Sequence, residues 1–461
     1  MEFTRAGRKT IDMTESRNDL ERWDREIVWH AFTQMAEYEP LVIDRAHGCW
    51  LVDLDGREYL DGVSSLWCNV HGHVHPRLNA AIRQQLDQVA HVTSLGMSNP
   101  TTVRLAKRLV EIAPDGLGHV FFSSDGSSAI EVALKMAFQY WRQCPNPGPQ
   151  KTKYIAYGDA YHGDTLGSVS VGGVDLFNEI FRPLLFDVIR LPSPTCYRMP
   201  PGVTQETACD FYLEQLQRCL AEHHEQIAAV IIEPLVQGAA GMVVHPRGLL
   251  TGIRRLTRQY GVLMIADEVA VGFGRTGRMF ACEHEQVTPD LLCLGKGLTG
   301  GYLPMAATLT TGDVWQAFLG HYADARTFFH GHTYGGNPVA AAVSLASLEV
   351  FQEEQTLEQM PAKIDRLAEH LKRIAGLEHV GDVRQCGLMA GVELVQDCET
   401  AEPYPWQEQR GIRACHHALQ QGVWLRPLGN VIVIMPPLSI TLDELDQIGQ
   451  AVYDGILAAQ K

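Results

Sequence analysis

The sequence predicts an α/β protein, with a large domain that has a mostly parallel central sheet between helices, followed by a smaller α+β domain. Short apolar segments alternate with helical patterns between residues 76 and 344, and such segments are typical of strands that are covered on both faces. Beyond residue 345, helical segments are interleaved with strand-like segments instead. The chain has 461 residues, which is long enough for two domains.

Five apolar segments are predicted to form the sheet of the large domain, because their alternation with helices implies parallel pairing and right-handed crossovers. These segments are residues 120–122, 154–156, 228–232, 262–266 and 291–294. In the smaller domain, helices are predicted over residues 364–375 and 412–421 and strands over residues 388–394 and 431–435. Thr441 and Glu444 have capping-box spacing, which predicts the start of the last helix.

These patterns divide the chain into three parts. Residues 1–75 are an N-terminal segment that we expect to pack with the small domain. Residues 76–344 form the large domain, and residues 345–461 form the small one.

The composition argues against several classes of protein. The formal net charge of −16 disfavours a general affinity for nucleic acid or for an anionic membrane. The 11 cysteines are scattered and include no CxxC pair, which fits neither a disulfide framework nor a thiolate metal site. The charged N-terminus lacks the apolar stretch of a secretory signal, and no segment has the roughly 20 apolar residues of a membrane span. We therefore expect a cytoplasmic protein.

A strand, a Gly/Ser turn and a helix follow one another in VFFSSDGSSAIEVALK, with the helix predicted to begin near Ser128. A helix N-terminus offers free backbone N–H groups and the positive end of the helix dipole. Gly126 would permit close approach of a ligand, and Ser127 would add a hydroxyl. The turn is a candidate phosphate site, and an ordinary strand-to-helix connection is the alternative.

Asp267 closes an apolar strand, and open α/β sheets bind ligands at the carboxyl ends of their strands. Asp267 is therefore a candidate cofactor contact, with a helix cap or an ion pair as the alternative. The Gly272 to Gly277 segment matches GxGxxG formally. However, five residues separate the strand from the first glycine, which is unlike a dinucleotide-binding turn.

Lys296 lies two residues beyond another apolar strand and is flanked by glycines. Partial desolvation lowers the pKa of such a lysine and makes its amine nucleophilic toward an aldehyde. An exposed lysine without a role is the alternative. The order of phosphate turn, strand-end carboxylate and strand-end lysine would be an improbable coincidence of independent loops.

From about Trp29 to the C-terminus the chain resembles the class III aminotransferases of fold type I. The motifs that carry the resemblance are DGSSAIEVALK, YHGDTLG, IIEPLVQGAAG, DEVAVGFGRTG, LGKGLTGGYLP and HGHTYGGNP. The resemblance implies pyridoxal phosphate as cofactor, with Lys296 forming an imine to it and Asp267 holding its ring nitrogen. It further implies a homodimer with small-molecule substrates. The other implied cofactor contacts are Gly126 and Ser127 at the phosphate, Tyr161 stacked on the ring, and His332 and Thr333, the latter reaching the phosphate across the dimer interface.

Within this family, WHAFTQM, SSLWCNVHGHVHP and WLRPLGNVIVIMPP are most similar to the members that convert 8-amino-7-oxononanoate to 7,8-diaminononanoate in biotin synthesis. The implied substrate contacts are Phe32, Leu66, Trp67, Gly331 and Arg426, with Arg426 binding the carboxylate of the acceptor. Members that use S-adenosylmethionine as donor carry Tyr, Trp and Tyr where this chain has Phe32, Leu66 and Val433. The donor therefore stays open between S-adenosylmethionine and lysine.

Other functions would require different features of the sequence. An NAD-dependent oxidoreductase would need the GxGxxG match to bind a dinucleotide. A metal-dependent hydrolase would need His71, His73 and His75 to converge, although no carboxylate pattern accompanies them, and we expect no metal site. Within the family, ω-amino acid:pyruvate and acetylornithine enzymes are the alternatives.

Overall fold

The computed structural model describes residues 16–460. The first part of the charged N-terminal segment, residues 1–15, lies outside the described residues, as does Lys461. Among the helices of the described range, none is both long and apolar enough to cross a membrane.

The N-terminal part contributes three antiparallel strands to a small sheet whose fourth strand comes from the C-terminal part of the chain. Its elements are α1 (Arg17–Ile27), β1 (Ile43–His47), β2 (Trp50–Asp53), β3 (Glu58–Asp61) and the single turn α2 (Ser64–Trp67). Strand β3 pairs in parallel with Val423–Trp424, so that Leu60 lies opposite Val423. The sheet therefore includes strands from both ends of the chain. The domain boundaries at 75/76 and 344/345 remain predictions.

The large sheet has seven strands in the order β4-β12-β11-β10-β7-β5-β6. Strand β12 is antiparallel to both of its neighbours, and the other pairs are parallel. A separate two-stranded sheet is formed by β8 and β9. The strands of this part are β4 (Leu117–Ser123), β5 (Lys153–Tyr157), β6 (Ile189–Leu191), β7 (Ile227–Ile232), β8 (Val236–Gln237), β9 (Val243–Val244), β10 (Leu263–Asp267), β11 (Leu291–Leu294) and β12 (Ala306–Thr311).

All five predicted strands are present, and the predicted mostly parallel sheet is confirmed. Every residue of β7, β10 and β11 is buried, as expected for strands with helices on both faces. Strands β6 and β12 were not predicted. Strand β12 lacks an apolar run because half of it is threonine, and buried Thr308 is satisfied by donating to the Ala129 carbonyl over 3.0 Å.

This part of the chain also forms helices, several of which pack on the sheet. They are α3 (Pro76–Leu86), α4 (Pro100–Ile112), α5 (Gly126–Gln143), α6 (Leu166–Val171), α7 (Asp175–Asn178), α8 (Ala208–His223), α9 (Leu249–Gln259), α10 (Gly312–Ala317) and α11 (Pro338–Glu353). Helix α5 begins at Gly126, two residues before the predicted start near Ser128. The reason is that Asp125 is the N-cap residue, and its side chain accepts from the Ser128 N–H over 2.9 Å.

The C-terminal part is an α+β unit whose sheet has the order β13-β14-β18-β17, with β15 paired to β14. Its elements are α12 (Thr356–Ile374), β13 (Val380–Cys386), β14 (Met389–Asp397), β15 (Glu402–Pro403), α13 (Arg410–Gln420), β16 (Val423–Trp424), β17 (Pro427–Leu428), β18 (Val431–Ile434) and α14 (Leu442–Ala459). The predicted capping box before α14 is confirmed. Glu444 N–H donates to Thr441 Oγ1, and Thr441 N–H donates to the Glu444 carboxylate.

Short 3₁₀ turns complete the secondary structure. They are Met35–Glu37, Glu179–Leu184, His224–Gln226, Ala281–Glu285, Lys296–Thr299, Tyr322–Asp324 and Trp406–Glu408. Between the GxGxxG match and β11 the chain forms only the turn Ala281–Glu285, so the match does not open a crossover helix of the dinucleotide-binding kind.

Candidate active site

Three adjacent strands of the large sheet carry polar residues at one edge. Glu233 follows β7, Asp267 ends β10, and Lys296 lies two residues after β11. Because these strands are parallel, their carboxyl ends meet at the same edge. A cavity of about 490 Å³ opens there, and its lining includes Trp67, Gly126, Ser127, Tyr161, Asp267 and Lys296.

Asp267 lies in the wall of this cavity and is held by two donors. His162 Nδ1 is 2.7 Å from Asp267 Oδ2, and the Val269 N–H donates to Oδ1 over 3.0 Å. These two contacts fix the position of both carboxylate oxygens. The other ring nitrogen of His162, Nε2, is buried and has no hydrogen-bond partner among residues 16–460. The pair therefore offers an anionic group to a cation bound in the cavity.

Glu233 is a second buried carboxyl beside Asp267. Its oxygens accept from the Tyr161 N–H over 2.9 Å and the Gly238 N–H over 3.0 Å. Burial raises the pKa of Glu233 to about 7, although the nearby His162 opposes this shift. Sequence reasoning singled out neither Glu233 nor His162. The rule that selected Asp267, a polar residue directly after an apolar strand, would also have found Glu233.

Lys296 directs its amine toward the aromatic face of Trp67, with Nζ 4.9 Å from the ring centroid. Burial lowers the pKa of Lys296, because it disfavours the ammonium form, while the carboxylates of Asp267 and Glu233 partly oppose that shift. A lysine with a lowered pKa is a better nucleophile and base near neutral pH.

The N-terminus of α5 forms a cup in the wall of the cavity. A Cβ atom on Gly126 would lie 2.5 Å from Val269 Cγ1, and one on Gly163 would lie 2.0 Å from Ser127 Oγ. Both positions therefore require glycine. Because Asp125 accepts from the Ser128 N–H, the backbone N–H groups that the start of the helix offers to an anion are those of Gly126 and Ser127.

Tyr161 lines the cavity between this cup and Glu233. Its hydroxyl donates to Asp164 Oδ2 over 2.6 Å, and burial raises the pKa of Tyr161. The phenol therefore stays neutral, and its ring is available for stacking on a planar ligand.

Turn α2 is left-handed. The φ angles of Ser64, Ser65, Leu66 and Trp67 are 52°, 50°, 80° and 68°. None of the four is glycine, and the left-handed region costs an L-residue roughly 1–2 kcal/mol. Such a turn persists only where surrounding contacts hold it. It places Trp67 in the cavity wall and leaves Leu66 half-exposed.

The family model described as "Aminotransferase class-III" matches residues 33–456 of the chain. The chain belongs to the class III aminotransferases. It is 54% identical over 431 residues to the adenosylmethionine-8-amino-7-oxononanoate aminotransferase of Geobacter sulfurreducens, an alignment that covers 93% of this chain and 95% of that relative.

Solved structures of transaminases have the same fold. The crystal structure of adenosylmethionine-8-amino-7-oxononanoate aminotransferase from Methanocaldococcus jannaschii superimposes with a TM-score of 0.91 at 43% identity, over 96% of this chain and 99% of that one. The omega transaminase from Pseudomonas jessenii in complex with PMP gives a TM-score of 0.91 at 32% identity, over 96% and 98% of the two chains. The predicted fold type I architecture is confirmed.

As a class III aminotransferase, the chain is a pyridoxal-phosphate-dependent transaminase. The cavity fits that cofactor in three respects. The glycine cup at Gly126 suits a phosphate, the carboxylate of Asp267 suits a protonated ring nitrogen, and the amine of Lys296 suits an aldehyde.

The remaining predicted contacts of this aminotransferase lie outside the cavity wall formed by the described residues. Arg426 Nη2 donates to the Phe32 carbonyl over 3.0 Å, so two predicted substrate contacts touch each other. His332 Nδ1 lies 3.3 Å from Ser124 Oγ, while Gly331 and Thr333 are exposed beside it. Val433 is buried in β18. The roles of these residues in binding cofactor and substrate remain predictions.

The three alternating histidines have separate partners. His71 contacts Ser347, His73 contacts Asp61, and His75 contacts Glu354. Within residues 16–460, no group of three or more His, Cys, Asp or Glu residues could hold a metal ion.

Arg275 of the GxGxxG match is fully buried and donates to the carbonyls of Pro436 over 2.5 Å and Asn69 over 2.6 Å. Its two bonds join the segment after α2 to the segment after β18. Arg275, which belongs to one of the aminotransferase motifs, therefore has a structural role.

Proposed function

We propose that the enzyme transfers an amino group to 8-amino-7-oxononanoate and so forms 7,8-diaminononanoate for biotin synthesis, with S-adenosylmethionine or lysine as the donor. One observation supports amino transfer: Lys296 and Asp267 line the same cavity. The choice of acceptor is supported by the names of relatives that are 54% and 43% identical over nearly their whole length.

When bound, pyridoxal phosphate supplies an aldehyde that accepts the amino group and a ring that withdraws electrons from the substrate carbon. The carboxylate of Asp267, which His162 and Val269 hold in place, would keep a proton on the ring nitrogen. Lys296 would move the proton at the substrate carbon through Nζ, since its lowered pKa leaves a larger fraction of free amine. Trp67 and Tyr161 would limit the access of water to these groups.

The experiment offers purified holoenzyme 8-amino-7-oxononanoate together with S-adenosylmethionine in one arm and with lysine in the other. We expect the diamine in at least one arm, and the productive arm identifies the donor. The main competing function is the ω-amino acid:pyruvate reaction, which the likeness to the Pseudomonas jessenii omega transaminase supports. Turnover of an ω-amino acid with pyruvate and no diamine in either arm would replace the proposed function by that one. An acetylornithine-type reaction is tested in the same way with acetylornithine as donor.

Arg426→Ala should raise the KM for 8-amino-7-oxononanoate by about 10- to 100-fold, because a hydrogen bond between charged groups contributes about 1.5–3 kcal/mol. The guanidinium already lies beside the Phe32 backbone, which would hold it in place. The matched control is Arg45→Ala, an exposed arginine on β1 that should leave KM unchanged. An equal KM in wild type and Arg426→Ala would remove Arg426 from the acceptor site.

We further propose that the active species is a homodimer in which Thr333 reaches the phosphate bound by the neighbouring subunit. Thr333 is exposed in the single chain, so its hydroxyl is free to make such a contact. Thr333→Ala should weaken binding of pyridoxal phosphate about tenfold, because a bond to a charged group is lost. The measurements are a spectroscopic cofactor titration and size-exclusion chromatography, with exposed Thr204→Ala as control. A fully active monomer would refute the proposal.

A further inference from the structure

The left-handed turn α2 is held by a buried carboxylate that lies outside the cavity wall. Asp61, at the end of β3, is fully buried. Its Oδ1 accepts from the Ser65 N–H over 2.9 Å, and its Oδ2 accepts from Ser65 Oγ over 2.8 Å. Because Asp61 binds both donors of Ser65, it opposes the return of that residue to a right-handed conformation.

A series of hydrogen bonds holds Asp61 in turn, and the donor and the acceptor of each bond can be assigned. The Gly72 N–H donates to Asn69 Oδ1 over 2.8 Å, which sets the orientation of the Asn69 amide. Asn69 Nδ2 therefore donates to His73 Nδ1 over 3.1 Å. The proton of the neutral His73 ring then lies on Nε2, which donates to Asp61 Oδ2 over 2.9 Å.

Other contacts hold the two ends of the turn. Ser64 Oγ donates to the Met435 carbonyl over 2.5 Å, and Arg275 binds the carbonyl of Asn69. Neither contact reaches Ser65 or Leu66. In the middle of the turn, the N–H groups of Leu66 and Trp67 donate to the Val63 carbonyl over 3.1 and 2.8 Å, and Asp61 adds the two bonds that hold Ser65.

The turn determines what the cavity presents to a ligand. Trp67 faces the amine of Lys296, and its ring also packs over Gly238, where a Cβ would lie 3.2 Å from Trp67 Cζ3. If Ser65 returned to a right-handed conformation, the backbone after it would be redirected, and Trp67 would leave this position.

We propose that Asp61 is a positioning residue for amino transfer. By holding Ser65 in the left-handed region, it keeps Trp67 against Lys296 and so sets the affinity of the cavity for the amino acceptor. The inference rests on the proposed function only for the identity of that acceptor.

The test begins with Asp61→Asn in the holoenzyme. The asparagine oxygen can still accept from the Ser65 N–H. Its NH₂ group, however, faces the N–H of His73, so the hydrogen bond from His73 is lost. We expect the acceptor KM to rise about tenfold with kcat within about threefold of wild type, since the loss falls on binding. Amide hydrogen exchange in residues 65–69 should accelerate about tenfold, because the turn opens more often.

A rescue variant and a matched control separate positioning from general stability. Asp61→Asn combined with Ser65→Gly should restore the acceptor KM to within about threefold, because glycine adopts positive φ without steric cost. The control is Asp53→Asn, a buried carboxylate on β2 of the same sheet. Asp53 accepts from the N–H groups of Asp55 and Arg57 and from the Tyr59 hydroxyl, and it makes none of the bonds to α2. This control should leave KM unchanged.

An acceptor KM that is unchanged in Asp61→Asn, that rises equally in Asp53→Asn, or that is not recovered with Ser65→Gly would overturn the inference. If the wild type turns over a different keto acceptor and not 8-amino-7-oxononanoate, the proposed function fails. The comparison of variants is then made with the acceptor that the wild type uses.

Discussion

Replacement of Lys296 by alanine is expected to lower turnover on the order of 10⁴-fold or more, because the variant loses both the covalent attachment of the cofactor and the base that moves the substrate proton. The proposed chemistry gives both roles to one amine. Nζ faces the cavity, and burial lowers its pKa so that the free amine is available. The nearby carboxylates of Asp267 and Glu233 are ill-suited to replace it as a nucleophile toward an aldehyde.

The measurement combines steady-state rates with mass spectrometry after borohydride reduction. The wild-type peptide that contains Lys296 should gain the mass of the reduced cofactor, and the variant should not. The control is Lys107→Ala on α4, whose side chain is exposed and does not line the cavity. Wild-type turnover by a Lys296→Ala protein that carries no covalent cofactor would contradict the proposed chemistry.

Asp267→Asn is expected to lower turnover about 10²- to 10³-fold while some cofactor is retained. The carboxylate would stabilise the protonated ring nitrogen, and removal of one such preorganised electrostatic contact typically has this effect. His162 Nδ1 and the Val269 N–H both point at Asp267 oxygens. An asparagine can accept only one of these bonds, and its NH₂ group would face the other donor.

The matched control for this variant is Asp290→Asn, at the residue immediately before β11 of the same sheet. Asp290 pairs with Arg254 and accepts from the Met264 N–H at the start of β10, the edge opposite the cavity. Loss of that pair should lower thermal stability and leave kcat close to wild type. If Asp267→Asn had the kcat of wild type, Asp267 would have no part in the reaction, and the assignment of the ring-nitrogen contact would be wrong.

Much of the large domain could be predicted because its strands are specified by residues that are close together in the sequence. The segments that became β7, β10 and β11 are apolar throughout, which is what a strand buried on both faces requires. Strand β12 escaped prediction because its threonines are compatible with burial only when a partner accepts their hydroxyl protons, as the Ala129 carbonyl does for Thr308. That partner lies on α5, 179 residues away along the chain.

The residues of the candidate site also fall into those that local sequence could select and those that it could not. Asp267 and Lys296 could be selected from their places after apolar strands, and the motif resemblance placed them in a family. Ser127 could be selected from the Gly/Ser turn before a helix, whereas Tyr161 came from the resemblance. His162 was overlooked, because a histidine after a tyrosine has no local feature that indicates its use. The contact between His162 and Asp267 joins residues that are 105 positions apart.

The sequence by itself determined the α/β class, the strand segments, the capping box at Thr441 and the strand-end positions of Asp267 and Lys296. These depend on periodicity and on neighbours within a few residues. Only the tertiary structure decided that β3 pairs with β16, that Gly126 and Gly163 must be glycine, and that Ser65 is held left-handed by Asp61. Each of these depends on atoms that the fold brings together, and a conformation disfavoured by local sterics is stable only when such partners are in place.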